Sequence, residues 1–209
     1  MRTLLLLAPL TLLSLLALPG VATAAETVTL APMPGTVPAA QSLPVLGRVP
    51  QVCAMQPGRI AAGSLNNIAG LDGDTLRIIQ FTDPSTLTVR AASVTVSFDA
   101  FCNFPHSVRI ESQNNGLWPV DARVSDRLSG FGYAVPYTAR LNWGPANAEF
   151  QATATIRTIA QAVTAVIEPA AGDLSLRIEI ADGASNAQNR APMMAGTYVD
   201  TVRIFLEPQ

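Results

Sequence analysis

The sequence predicts an all-β protein, an antiparallel β-sandwich or barrel, and three observations indicate this class. Beyond Val52 the apolar residues recur at every second position, as they do in strands with one buried face and one exposed face. Spacing typical of amphipathic helices is nearly absent. Residues that favour turns divide the alternating runs into short segments. Many short strands separated by turns are typical of a sandwich or a barrel.

At least eight strands are expected along the chain. The clearest are 150–157 and 174–180, where polar and apolar residues alternate. The remaining runs are rich in β-branched and aromatic residues and cover 76–81, 87–98, 107–112, 133–143, 163–167 and 197–206. Dipeptides that tolerate tight turns stand at Asp72-Gly73, Asp83-Pro84, Asn115-Gly116 and Asp182-Gly183. The polar stretch 181–195 is expected to be a mobile surface loop.

The first 24 residues predict an exported protein. Arg2 supplies a positive start, residues 4–18 form an apolar run, and Ala22-Thr23-Ala24 has the small residues that signal peptidase prefers. The apolar run falls below the roughly 20 residues that span a bilayer. We therefore expect residues 1–24 to be a signal peptide and the secreted chain to lack a membrane anchor.

Residues 25–50 are expected to form an extended arm ahead of a domain at 51–209. Five prolines are distributed through this arm, a spacing that excludes a helix or a central strand. Within it, Val28 and Leu30 alternate with threonines and could lie as one short strand, with Leu43 and Val45 as a second candidate.

Cys53 and Cys102 are the only cysteines of the chain. In an oxidising compartment a single pair of cysteines is more often bridged than free, although two buried thiols are the alternative. A bridge would close a loop of about 50 residues and stabilise the fold by roughly 4 kcal/mol. No Cys-x-x-Cys spacing suggests a redox role, so we expect a structural disulfide.

The composition argues against nucleic acid as a partner. Charged residues make up 13% of the chain and the formal net charge is −2, so the basic surplus that binds a phosphate backbone is missing. All 13 basic residues are arginines, which leaves no lysine for a Schiff base.

No catalytic or metal centre is expected, and the chain is predicted not to be an enzyme or to carry a cofactor. His106 is the only histidine, and its neighbour Ser107 would point to the opposite face of a strand. We expect His106 to be a turn or surface residue. The aromatic residues between Trp118 and Trp143 are expected to be core, although stacking on sugars is the alternative.

The C-terminal run carries a resemblance to a known family. It reads Gly196-x-Tyr198-x-Asp200-x-Val202, and it accompanies a signal peptide, the segment Phe101-Cys102-Asn103 and an alternating strand that starts at Tyr137. This combination resembles the spore coat protein U family of secreted bacterial subunits, which are similar to pilins of the archaic chaperone–usher type.

The resemblance implies an incomplete immunoglobulin-like sandwich that lacks one strand. A periplasmic chaperone would fill the gap first, and after passage through an outer-membrane usher the arm of another copy or a related subunit would replace it by donor-strand exchange. Val28 and Leu30 would then be the donor residues, with Leu43 and Val45 in reserve, although Pro32 and Pro34 interrupt the arm.

The expected function is that of a structural or adhesive subunit of a pilus-like or coat assembly, held by non-covalent strand addition. Its route would lead through the periplasm to the cell surface. The alternative is a monomeric exported module that binds glycans.

Overall fold

The computed structural model describes residues 41–121 and 129–209. None of these residues forms a helix, and all named strands pair in antiparallel fashion. The all-β prediction is therefore confirmed. The described residues contain no helix that is long and apolar enough to cross a membrane.

The chain divides into two compact units, residues 1–46 and residues 47–209. Only residues 41–46 of the first unit are described, and they have no regular secondary structure. The second unit contains thirteen strands in its described part: β1 (Cys53–Met55), β2 (Arg59–Ile60), β3 (Ile68–Asp72), β4 (Thr75–Ile78), β5 (Ala92–Cys102), β6 (His106–Ser112), β7 (Trp118–Pro119), β8 (Tyr137–Trp143), β9 (Ala146–Ala152), β10 (Ala160–Val166), β11 (Ala170–Ile180), β12 (Tyr198–Val199) and β13 (Val202–Pro208).

One large sheet has the strand order β1-β5-β11-β8-β9, and β2 also pairs with β5. β5 and β11 pair along their whole length, from Ala92 opposite Ile180 to Cys102 opposite Ala170. A second sheet has the order β10-β6-β13, and two small pairs, β3 with β4 and β7 with β12, complete the described strands.

The core lies between the two main sheets because the inward residues of both belong to one apolar cluster. Val94 of β5, Leu141 of β8 and Leu174 of β11 come from the first sheet, and Val108 and Ile110 of β6 come from the second. Each is fully buried. Burial of one such side chain contributes about 1.5–3 kcal/mol, which makes this cluster the main source of stability.

Several predicted strands are shorter or broken in the structure: the run 76–81 ends at Ile78, the run 87–98 begins at Ala92, and the run 133–143 begins at Tyr137. The strand expected at 150–157 ends at Ala152, because the chain turns at Ala154, which has a positive φ of 56°. The run 197–206 divides into β12 and β13 at Asp200, whose side chain bonds a neighbouring loop. The short strands β1, β2, β3 and β7 were not predicted, since two to five residues carry little alternation.

The predicted turns are confirmed. Gly73 and Gly183 have positive φ angles of 58° and 71°, and Asn115 and Gly116 both have positive φ. The side-chain Oδ1 of Asp83 accepts hydrogen bonds from the backbone N–H groups of Ser85 and Thr86, as in an Asx-turn.

The stretch 181–195 is not the free surface loop that the sequence predicts. Oδ1 of Asn186 accepts hydrogen bonds from the backbone N–H groups of Tyr133 and Ala134. The backbone of Met193 donates to the Leu87 carbonyl, and the Met193 side chain is buried. The stretch lies outside the named strands and about half of its residues are exposed, but these hydrogen bonds join it to neighbouring segments.

Candidate functional site

β13 lies at the edge of its sheet and has one free side among the described residues. The Gln113 N–H donates to the Thr201 carbonyl at 2.9 Å, so Gln113 and Thr201 are a hydrogen-bonded pair at the start of the ladder between β6 and β13. Bonded and non-bonded pairs alternate in an antiparallel ladder, so Arg203, Phe205 and Glu207 bond β6. The backbone N–H and C=O groups of the intervening residues therefore point away from β6, and these residues are Val202, Ile204 and Leu206.

An apolar groove of about 910 Å³ runs beside this edge. The side chains of Val202 and Ile204 form one wall, and β3 and β4 contribute the other with Leu71, Leu76 and Ile78. Its floor consists of core residues, including Leu176 and Ile178 of β11. An open core beside free backbone groups is a place where a further strand can satisfy hydrogen bonds and insert alternate side chains.

Gly58 allows the segment between β1 and β2 to lie directly against the groove floor. A Cβ atom at this position would come within 2.7 Å of ring and methyl carbons of Phe98 and Val96. A larger residue would therefore displace side chains that line the groove. The charged residues Asp74 and Arg77 belong to the lining and are themselves exposed, so charge lies at the rim of the groove.

All four residues of the C-terminal motif line the groove. The ring of Tyr198 packs on Phe81 with centroids 5.0 Å apart, and its hydroxyl donates to the Met194 carbonyl. Val202 faces the core. A Cβ at Gly196 would lie 3.4 Å from Pro119, an ordinary contact, so nothing in the structure explains glycine at this position.

Asp200 ties the start of β13 to the loop that follows β6. Its two carboxylate oxygens accept six hydrogen bonds, from the hydroxyls of Ser112 and Tyr137, the backbone N–H groups of Asn114, Gly116 and Thr201, and the Asn114 amide. Bonds to an ionised acceptor are roughly twice as strong as neutral ones. Sequence analysis singled out Asp200 but missed Ser112 and Asn114, because no local pattern shows that they meet it.

The Tyr137 hydroxyl is part of this cluster and lies 2.7 Å from Oδ2 of Asp200. Burial raises the pKa of Tyr137, and the adjacent Asp200 carboxylate raises that pKa further. A raised pKa in an acid means that the folded state holds the neutral form more tightly than the unfolded state does.

Because the pKa of Tyr137 is raised in the folded state, we expect the protein to lose stability in alkaline solution. The contribution of Tyr137 to the free energy of unfolding is complete at pH values below about 10, the pKa of tyrosine in the unfolded chain. Above that pH the contribution declines by about 1.4 kcal/mol per pH unit, because only the unfolded chain loses the proton. The variant Tyr137→Phe should have a lower free energy of unfolding at neutral pH and a flatter decline above pH ~10. Urea unfolding at several pH values measures both, and equal slopes for the two proteins would contradict the prediction.

The structure contains the Cys53–Cys102 disulfide, which joins directly opposite residues of β1 and β5. Of the arm residues proposed as donors, Val28 and Leu30 lie outside the described residues. Leu43 and Val45 are exposed and belong to no strand.

His106 is buried, so the expectation of a surface histidine is wrong. Its side chain has no exposure, packs against Trp143 with ring centroids 5.0 Å apart, and binds the Phe104 carbonyl through Nδ1. The hydroxyl of Ser107 instead bonds the Glu207 carbonyl. The sequence pattern around Pro105 suggested a turn, but the strand begins at His106 itself.

The indoles that were considered for sugar stacking are core residues. Trp118 and Trp143 are 5% and 2% exposed, and the Trp118 Nε1–H donates to the Asn114 carbonyl. Neither ring presents a face on which a sugar could stack in this structure. Within residues 41–121 and 129–209, no three His, Cys, Asp or Glu side chains come together in the manner of a metal site.

Comparison with known proteins does not extend these findings. No protein-family model matches the chain, and no curated protein matches it.

Proposed function

We propose that this protein is a secreted structural or adhesive subunit of a pilus-like or coat assembly, and that its subunits associate by β-strand addition. The observation that carries the proposal is the apolar groove beside the free edge of β13. An edge of this kind is normally covered or charged in a protein that stays monomeric. Here the free backbone groups belong to Val202, Ile204 and Leu206, whose side chains face the core.

The strand order supports an incomplete immunoglobulin-like sandwich. Constant-type immunoglobulin domains place strands A, B, E and D in one sheet and strands C, F and G in the other. β1, β5, β11 and the β8–β9 hairpin follow the first order, and β6 and β13 follow strands C and F of the second. Strand G would pair with β13, on the side where no described strand is hydrogen-bonded to it. The proposed partner supplies that strand.

The occupant that we propose is the arm of a second copy, through Val28 and Leu30. Three alternate residues of β13 offer backbone groups, and the arm offers alternating apolar residues ahead of Pro32. Leu43 and Val45 flank a proline, which lacks the N–H of a ladder donor, so they remain the second choice. Head-to-tail insertion of this kind is a heterologous contact, and such contacts give an open fibre wherever their rotation does not close a ring. A periplasmic chaperone and an outer-membrane usher would act before that insertion.

Deletion of residues 25–46 tests the proposal. Material collected from the cell surface should give a ladder of oligomers on an unheated detergent gel, because each inserted strand adds a ladder of hydrogen bonds and buried side chains. The deletion variant should give monomer alone. A wild-type chain that runs only as monomer, or a ladder that persists after the deletion, would overturn the proposal.

The deletion leaves the 53–102 disulfide and the whole described domain in place, which allows a folding control. The variant and the full chain should have equal contents of β-structure by circular dichroism. Purification from the periplasm gives an independent measurement, since a bound protein that is released when the arm of a second copy is added would support strand replacement.

A further inference from the structure

We propose that Asn103 is a positioning residue that fixes the direction in which the chain leaves the domain towards the arm. The proposal concerns a three-residue stem, Pro50 to Val52, which directly precedes β1. The inference rests on the proposed function where it concerns an assembly, but the contacts themselves belong to a single chain.

Asn103 makes three hydrogen bonds to the stem. Its side-chain Oδ1 accepts from the Val52 N–H at 2.8 Å, and its Nδ2 donates to the Pro50 carbonyl at 2.8 Å. Its own backbone N–H donates to the Val52 carbonyl at 3.2 Å. Both the donor and the acceptor of one amide side chain are therefore used to hold two peptide groups of the stem.

The loop that carries Asn103 is itself held on both sides. Cys102 is buried and bonded to Cys53, next in the chain to Val52. On the other side Phe104 is buried, and its carbonyl binds Nδ1 of His106. The three hydrogen bonds from Asn103 to the stem, which we call the clamp, therefore belong to a loop that is fixed on both sides. The bond between Phe104 and His106 also gives the buried histidine a structural role.

The stem is exposed, so its hydrogen bonds do not serve to complete the core. Exposed residues before a first strand are usually poorly ordered unless specific contacts hold them. In a fibre built by strand addition, the stem is the part of the connection between consecutive domains that lies next to the domain carrying the arm. Residues 31–49 separate it from Leu30, and residues 46–49 separate it from Val45. A stem held in one direction shortens by three residues the chain over which consecutive domains can change their relative angle, whereas a free stem leaves that chain longer and the fibre more flexible.

Hydrogen exchange in the purified wild-type chain and in Asn103→Ala tests the clamp directly. The Val52 amide should exchange about fivefold to tenfold faster in the variant, which corresponds to one lost hydrogen bond. Asn103→Asp retains an acceptor for this amide and should restore its protection. The matched control is Asn147→Ala, which removes another exposed asparagine that donates to a proline carbonyl, that of Pro145 in the β8–β9 turn.

Fibre stiffness tests the consequence. Wild-type and Asn147→Ala fibres should have the same persistence length in electron micrographs, and Asn103→Ala fibres should be more flexible while the variant domain keeps the β-structure content of the wild type by circular dichroism. Equal persistence lengths for all three would overturn the positioning role. Absence of wild-type fibres would overturn the proposed function, and unchanged Val52 exchange in Asn103→Ala would overturn the clamp whether or not fibres form.

Discussion

Replacement of Asp200 by alanine is expected to cost about 3–5 kcal/mol of unfolding free energy, the largest effect of any single change that we predict. The substitution removes the acceptor of six hydrogen bonds. Ser112 is fully buried and Tyr137 nearly so, and their hydroxyls would lose this partner away from water. An unpaired buried donor costs about 1–3 kcal/mol, so these two account for most of the loss.

Two further variants make this prediction specific. Asp200→Asn has the same shape but presents an NH₂ group to donors, so it should also be strongly destabilised. Asp74→Ala removes another aspartate that lines the groove but is exposed and makes no hydrogen bond among the described residues. It should change the free energy of unfolding by less than about 0.5 kcal/mol. Urea denaturation gives all three values, and an Asp200→Ala protein as stable as the wild type would contradict the role assigned to this carboxylate.

The long strands could be predicted from the sequence because each depends on its own alternation. β11 contains Leu174, Leu176, Ile178 and Ile180 separated by polar residues, and its inward face follows directly from a period of two. The disulfide was also predictable, since the chain has two cysteines and an export signal was expected. These inferences require no knowledge of which segments meet in space.

The groove could be predicted only in part, because it is formed by segments that are distant in the sequence. The C-terminal motif marked one wall through Tyr198, Asp200 and Val202. The opposite wall comes from β3, which is short and shows no clear alternation, and from β4, whose alternation was recognised but does not show which segment it faces. Gly58 lies against the groove floor because its backbone comes close to Phe98, which is forty residues later in the chain. His106 was misjudged for the same reason, since its neighbour Trp143 lies on another strand.

Aspartate in place of Val28 and Leu30 together is expected to abolish assembly and leave the domain folded. In an extended donor these side chains would point into the groove, where each buried apolar group contributes about 1.5–3 kcal/mol. An aspartate at the same position would have to lose its water without a partner, at a further cost. A combined loss of ~3 kcal/mol or more weakens binding at least ~100-fold. Assembly of purified arm-deleted domain with synthetic arm peptides measures this effect.

The matched control is the same change at Thr27 and Thr29, which alternate with the two apolar residues. Both double variants add two negative charges, and both replace residues by aspartate, which disfavours strands. The two variants therefore change the charge and the strand propensity of the arm in the same direction. Only the direction of the side chains differs. If the threonine variant binds as the wild-type peptide does and the Val28 and Leu30 variant does not, the arm inserts as an alternating strand with these residues in the groove. If both variants lose binding equally, alternation has no part in recognition. Binding by both, together with a loss on changing Leu43 and Val45 to aspartate, would move the donor to the second candidate segment.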